Sequence, residues 1–321
     1  MQVFIISLLA VAVLLAMAIP GFILIKRKMI GEDCIPGLSK ILIFIAQPCL
    51  LIYTFSVTPF SVGKLVDIGV FALICLGVNA LMLGASYLVL RSRSDDAIYR
   101  IMTIATTFGN CAFFGIPVIE ALFPIEAPEL LIYTTVYGQV MNIIGWTIGS
   151  AIISRDARYI SIKKVILSPV TISVIISLII YIFQVPLTFE IADGQEFSML
   201  LDSITFIGRM STPLSMLIMG MRLGTVELKS MFTDLRVYLT IALKQFVMPL
   251  LSLGVVLLLP IDPWMKRTFF VISACPVASV VLNYAELVGE GQKQAANMLL
   301  VGTMLSIVTL PIMSLLLPLI S

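Results

Sequence analysis

The sequence predicts an all-α membrane protein of ten transmembrane helices, arranged as two inverted five-helix repeats in which helices 4 and 9 are broken. Three observations predict it. Apolar stretches follow one another with only short polar breaks between them. Lysine and arginine fall almost entirely on one side of the resulting topology. Prolines recur at corresponding places in the two halves of the chain.

The apolar stretches come first. Of 321 residues, 60% are hydrophobic and 12% charged, with a mean hydropathy of +1.11. A soluble domain carries charge on about a quarter of its residues. Apolar runs of about 18 or more residues read as spanning helices. The spans are 3–25, 36–56, 67–90, 98–123, 129–153, 163–185, 198–221, 235–260, 267–288 and 294–319. The first is expected to be a spanning helix rather than a signal peptide, because no basic residue precedes it and it is too long for the apolar core of one. No alternating pattern of the outer-membrane barrel type is present. A net charge of +2 gives no reason to expect nucleic acid as a partner. The lipid bilayer is the expected surroundings, in the inner (cytoplasmic) membrane of the cell.

Loop charge sets the orientation. With the amino terminus outside, the cytoplasmic side receives fifteen basic residues: Lys26, Arg27, Lys28, Lys40, Arg91, Arg93, Arg100, Arg155, Arg158, Lys163, Lys164, Arg222, Lys229, Arg236 and Lys293. The outer side receives three, Lys64, Lys266 and Arg267. Arg209 and Lys244 remain inside the membrane. Both termini are therefore expected outside the cytoplasm, with Trp264 as an outer interfacial anchor. Glu126, Glu129, Glu190, Asp193 and Glu196 read as a solvated acidic outer face.

Five spans precede the loop around Arg155 and five follow it, so residues 1–153 and 163–321 form repeats of opposite orientation. Pro48 in IFIAQPCLLIYTF of span two corresponds to Pro213 in FIGRMSTPLSMLIMG of span seven. Pro117 in TTFGNCAFFGIPVIEALF of span four corresponds to Pro276 in ISACPVASVVLNYAELVG of span nine. A proline inside a helix removes a backbone donor and clashes with the preceding turn. Gly109, Asn110, Gly115 and Pro117 together break span four. Broken helices at matching places in two opposed halves point to a transporter binding site.

These residues also carry a family resemblance. GNCAFFGIP in span four, CPVAS in span nine, the prolines of spans two and seven, and KQFVMP (Lys244 to Pro249) in span eight resemble the auxin efflux carrier family. The short central loop is similar to its bacterial malonate-transporter-like permeases. The resemblance covers the whole chain. It implies that helices 4 and 9 cross near the membrane centre. Helices 1, 2, 6 and 7 would be a scaffold that forms a homodimer, and helices 3–5 and 8–10 a transport bundle with an elevator-like motion. It implies a small organic anion, such as malonate or another carboxylate, as substrate. It places Asn110, Pro117 and Pro276 at the crossover, with Gln139 and Asn142 of span five near the site. The Asp and Lys that some plant members carry in span three are absent; here that helix offers only Asn79.

The remaining polar groups bear on an anion directly. At a break, the following half-helix presents free N–H groups and a positive dipole end. Pro117 and Pro276 suit the first turn of such a half-helix. Opposing half-helix ends expose carbonyls, so side chains must tip the balance. An ionised side chain at a membrane-helix centre costs about 2.5–3.5 kcal/mol on insertion scales, so Arg209 and Lys244 call for a reason. Arg209 either attracts substrate or partners carbonyls freed around Pro48 or Pro213. Lys244 either contacts substrate, snorkels toward the interface, or pairs with the carbonyl end of a broken helix. Asn110 reads as a site residue, and Asn142 as site or structure. Asn283 reads as helix–helix glue, and Thr303 and Ser306 as close-packing residues. Glu120 and Glu286 lie beyond the two breaks, and no carboxylate sits at the membrane centre.

The expected function is a secondary transporter of a small organic anion by alternating access. Two alternatives share the architecture: a sodium- or proton-coupled carrier of another substrate, and a carrier-derived sensor. An enzyme is not expected, since no catalytic motif or deep acid–base pair is present. Neither metal nor cofactor is expected. The chain has no histidine, and Cys34, Cys49, Cys75, Cys111 and Cys275 show no paired spacing and read as core packing.

Overall fold

The computed structural model describes residues 2–191, 195–226 and 231–320. Asp193 of the expected acidic face and Lys229 of the cytoplasmic basic set lie outside them.

The described chain is helical apart from one small hairpin. In chain order the helices are α1 (Gln2–Lys26), α2 (Cys34–Ser56), α3 (Val62–Leu90), α4 (Ala97–Ala105), α5 (Cys111–Leu122) and α6 (Ala127–Ser154). There follow α7 (Ala157–Phe183), α8 (Met199–Thr225), α9 (Leu235–Leu257), α10 (Pro263–Ala274), α11 (Val280–Val288) and α12 (Gln292–Ser314). The strands β1 (Phe189–Ile191) and β2 (Gln195–Phe197) pair antiparallel between α7 and α8, with Phe189 opposite Phe197. No expected element covers this hairpin.

Among the described residues eight helices, α1, α2, α3, α6, α7, α8, α9 and α12, are long and apolar enough to cross a membrane. Expected spans four and nine are each two short helices, α4 with α5 and α10 with α11.

Several prolines leave a common local signature. Each of α2, α5 and α9 contains a π turn, at Leu42–Ala46, Cys111–Gly115 and Leu243–Val247. Pro48, Pro117 and Pro249 stand two residues beyond these turns. A proline ring clashes with the carbonyl four residues back, here Phe44, Phe113 and Gln245, all within the π turns. Widening the turn moves that carbonyl aside and keeps the chain helical. The helix continues through i→i−5 bonds such as Gln47 N–H to Leu42 O and Met248 N–H to Leu243 O.

The chain packs as two units. One comprises residues 17–69 and 163–225. Its tightest packing brings α1 against α8. A methyl group on Gly220 would collide with the Ala18 carbonyl, and one on Gly21 with the Leu217 carbonyl. Gly220 and Gly224 form the small-xxx-small spacing by which membrane helices approach closely, gaining dispersion contacts where lipid offers no hydrophobic drive. Tyr181 of α7 stacks edge-on with Phe55 and Phe60. Its buried ring carries a hydroxyl that accepts from Ser61 N–H at 3.3 Å.

The other unit comprises residues 1–16, 70–162 and 226–321. Its core holds an aromatic cluster. The Phe71 and Tyr133 ring centroids are 4.9 Å apart, and those of Tyr137 and Phe269 5.3 Å apart. The Tyr137 hydroxyl donates to Asn79 Oδ1 at 3.0 Å, and Asn79 Nδ2 donates to Cys75 O at 2.8 Å. The one polar residue expected of span three is thus tied into the core. Arg100, which reads as a loop charge in the sequence, is buried. Its guanidinium donates to the carbonyls of Ile153, Ser94 and Asp95 at 2.8, 2.8 and 3.0 Å. Trp264, at the start of α10, packs under the Arg267 guanidinium and edge-on to Phe123.

Candidate functional site

The two broken helices meet within the second unit, where the links between their halves are joined by backbone hydrogen bonds. Helix α4 ends at Ala105, and Thr106 to Asn110 lead to α5. Helix α10 ends at Ala274, and Cys275 to Ser279 lead to α11. Asn110 N–H donates to Pro276 O at 2.8 Å, and Ala278 N–H donates to Phe108 O at 2.9 Å. Gly109 and Val277 form an antiparallel bridge between them. Each link supplies donors and acceptors to the other, which is how unwound backbone survives away from water.

Local chemistry explains where each helix stops and restarts. Asn110 caps α5: Phe113 N–H donates to its side-chain oxygen at 3.3 Å, and its carbonyl accepts from Gly115 N–H at 2.9 Å. An asparagine at this position satisfies amide groups that the helix start leaves without partners. Pro276 cannot donate, so α10 ends before it, and Cys275 turns extended (φ −62, ψ 151).

The proline positions differ in part from expectation. Pro117 is the second residue of the α-helical part of α5, but the half-helix itself begins at Cys111 with the π turn. Pro276 lies in the link, not in the first turn of α11. The physical reason is the bridge: an extended Gly109–Val277 pair needs residues on both strands outside the helices.

Small residues set the spacing. A methyl group on Gly109 would stand 3.0 Å from Ile272 O and 3.1 Å from Lys244 Nζ. One on Gly115 would touch Cys275 Sγ at 3.5 Å, and one on Gly138 would stand 3.2 Å from Cys111 Sγ. The Gly138 contact puts α6 against the start of α5, one residue from Gln139. Gln139 and Asn142 are both half-buried on α6.

Lys244 is the charged group at this place. It is 1% exposed, and its ammonium donates to Ser273 O, at the carboxyl end of α10, over 2.6 Å. Of the readings open in the sequence, snorkelling is excluded by this burial. Pairing with the carbonyl end of a broken helix is what the side chain does. Arg209 belongs to the other unit, where its guanidinium lies 5.9 Å from the Tyr53 ring centroid. The structure thus brings Asn110, Gly115, Pro117, Pro276 and Lys244 together, with Gln139 and Asn142 on the adjoining helix.

Of the other polar residues, Glu120, Glu286 and Asn283 are exposed. Thr303 and Ser306 are buried and bond along α12. One residue escaped the sequence reading. Gln245, beside Lys244, is fully buried; its amide donates to Gly302 O at 2.7 Å and accepts from Thr309 Oγ1 at 2.6 Å. A glutamine following a lysine in the middle of an apolar span was the available signal.

The family model described as "Membrane transport protein" matches residues 6–163 and 155–314. No curated protein sequence matches the chain.

Proposed function

Because the chain belongs to the membrane transport protein family, that of the auxin efflux carriers, we propose that this transporter moves a small organic anion, malonate or another carboxylate, by alternating access. The observation that carries the reading is Lys244. A fully buried ammonium stands at the junction of two broken helices, and no carboxylate among the described residues pairs with it. A buried charge is costly unless compensated. An anion at the junction would compensate it.

The same reading takes α4–α5 and α10–α11 as one broken span each. With the eight other apolar helical segments this gives ten spans in two inverted sets of five, with both termini outside the cytoplasm. The unit containing the junction would be the transport bundle of an elevator-like motion. The unit with the α1–α8 packing would be the scaffold of a homodimer. The division of the chain into these two sets of residues supports that assignment.

Purified protein in proteoliposomes tests the reading with a panel of radiolabelled malonate, succinate, lactate and acetate. Uptake of at least one above protein-free liposomes is expected. Uptake of none, by protein that remains folded in the vesicles, contradicts the proposal.

A further inference from the structure

The breaks leave four half-helix ends in one unit: the carboxyl ends of α4 and α10 and the amino ends of α5 and α11. Each end carries about half an elementary charge, negative at carboxyl ends and positive at amino ends. Two of each sum to zero. Net charge at the junction is therefore set by side chains and by whatever is bound.

Lys244 supplies the side-chain charge. The titratable groups acting on it are the thiols of Cys275, in the α10–α11 link, and Cys111, at the start of α5. Helix α12 presents the uncharged Gly302 and Thr309 to the neighbouring Gln245, and α10 presents the Ser273 carbonyl and hydroxyl. Among the described residues no carboxylate cancels the ammonium.

We propose that Lys244 carries one proton with each substrate anion, so that the protein is a one-to-one proton–monocarboxylate symporter; this rests on the organic-anion function proposed above. Four states of the junction decide it. Loaded with a monoanion and protonated, its net charge is zero. Empty and deprotonated, it is again zero. Empty and protonated it is positive, and loaded and deprotonated it is negative. A low-dielectric interior penalises both charged states. The bundle therefore reorients in the two neutral states.

The proton is taken up by Nζ on the side where the anion enters. It passes to water on the other side once the anion has left. The Ser273 bond survives the cycle, because a neutral amine still has an N–H to donate. A dianion would leave the loaded junction negative, so a dicarboxylate is carried as its singly protonated form.

Uptake of radiolabelled lactate and malonate into proteoliposomes tests the inference, with the membrane potential clamped by potassium and valinomycin. A gradient of about one pH unit, acid outside, should drive about tenfold accumulation of lactate, since anion and proton ratios equalise, and about a hundredfold of malonate, whose monoanion accumulates about tenfold and whose dianion gains a further factor of about ten from the lower internal proton concentration. Changing the clamped potential should leave the rate unaltered. Lys244→Arg, which holds its charge permanently, should lower the ratio of net uptake to exchange of label for unlabelled substrate by about tenfold or more. Carriage that follows the potential and ignores the pH gradient overturns the inference alone, and this wild-type result does not depend on any variant folding. Absence of carriage of the whole carboxylate panel overturns the proposed function and the inference with it.

Discussion

The Asn110 backbone N–H donates to the Pro276 carbonyl over 2.8 Å, joining two residues 166 positions apart in sequence. Through this bond and its companion from Ala278 to Phe108, two interrupted helices complete each other's backbone. The residue that caps one half-helix is also the residue that ties the two breaks together.

Replacing the Asn110 side chain leaves this backbone bond in place and removes the cap and the side-chain amide beside it, so both stability and transport should fall. Asn110→Ala removes a cap worth about 0.5–2 kcal/mol and removes the amide from the junction. Asn110→Ser restores an oxygen able to cap, but not the amide. Thermal unfolding in detergent should recover in the serine variant while uptake stays low. Recovery of both together would reduce Asn110 to a structural role.

Gly109→Ala would place a methyl group 3.0 Å from Ile272 O and 3.1 Å from Lys244 Nζ. Backbone and a tethered ammonium yield little, and forcing atoms into a packed interior typically costs about 1–3 kcal/mol. A lowered unfolding temperature with reduced uptake is expected. Gly69→Ala, where a methyl group meets nothing within 4 Å, is the control and should unfold like the wild type.

Gln245 offers a paired test. Gln245→Leu leaves Thr309 Oγ1 and Gly302 O without their partner, and an unsatisfied buried polar group costs about 1–3 kcal/mol. Adding Thr309→Val removes one orphan. The double variant should unfold above the temperature expected from adding the single effects, and strict additivity would contradict the bond.

At the start of α9, Asp234 caps Arg236 N–H at 3.0 Å and pairs with its guanidinium at 2.9 Å. The hydrogen bond from the Arg236 side chain holds the Asp234 carboxyl below the usual carboxylate range. A depressed folded value gives stability that is present above the unfolded value of about 3.9 and lost as pH falls through the folded one. Asp234→Asn should therefore be less stable than wild type near neutral pH, by a small margin typical of partly exposed pairs. The difference should vanish in acid. A margin unchanged by acid would exclude the ionised pair as its source.

Much of this was legible in the sequence because membranes constrain chains strongly. Hydropathy located the continuous helices to within a few residues, as 36–56 against Cys34–Ser56 illustrates. The breaks were legible because Gly109, Asn110 and Pro276 each remove something a helix needs. What lay beyond reach was partnership. Nothing local indicates that Gly109 bridges Val277, or that Lys244 reaches the carbonyl of Ser273, 29 residues on. Nor does a membrane proline announce whether it breaks a helix, as at Pro276, or only widens one turn, as at Pro48 and Pro249. The burial of Arg100 was hidden for the same reason: its closest partners are three backbone carbonyls, which every residue has, and its one carboxylate partner, Glu290 at 3.5 Å, stands 190 residues away.

The central claim is that a small carboxylate is held at the joined breaks. Counterflow tests it most directly: proteoliposomes are preloaded with each unlabelled carboxylate of the panel and diluted into the same labelled compound, without any imposed gradient. A transient accumulation of label is expected for at least one compound with the wild type, and its loss in folded Asn110→Ala. Counterflow by Asn110→Ala equal to the wild type would contradict it.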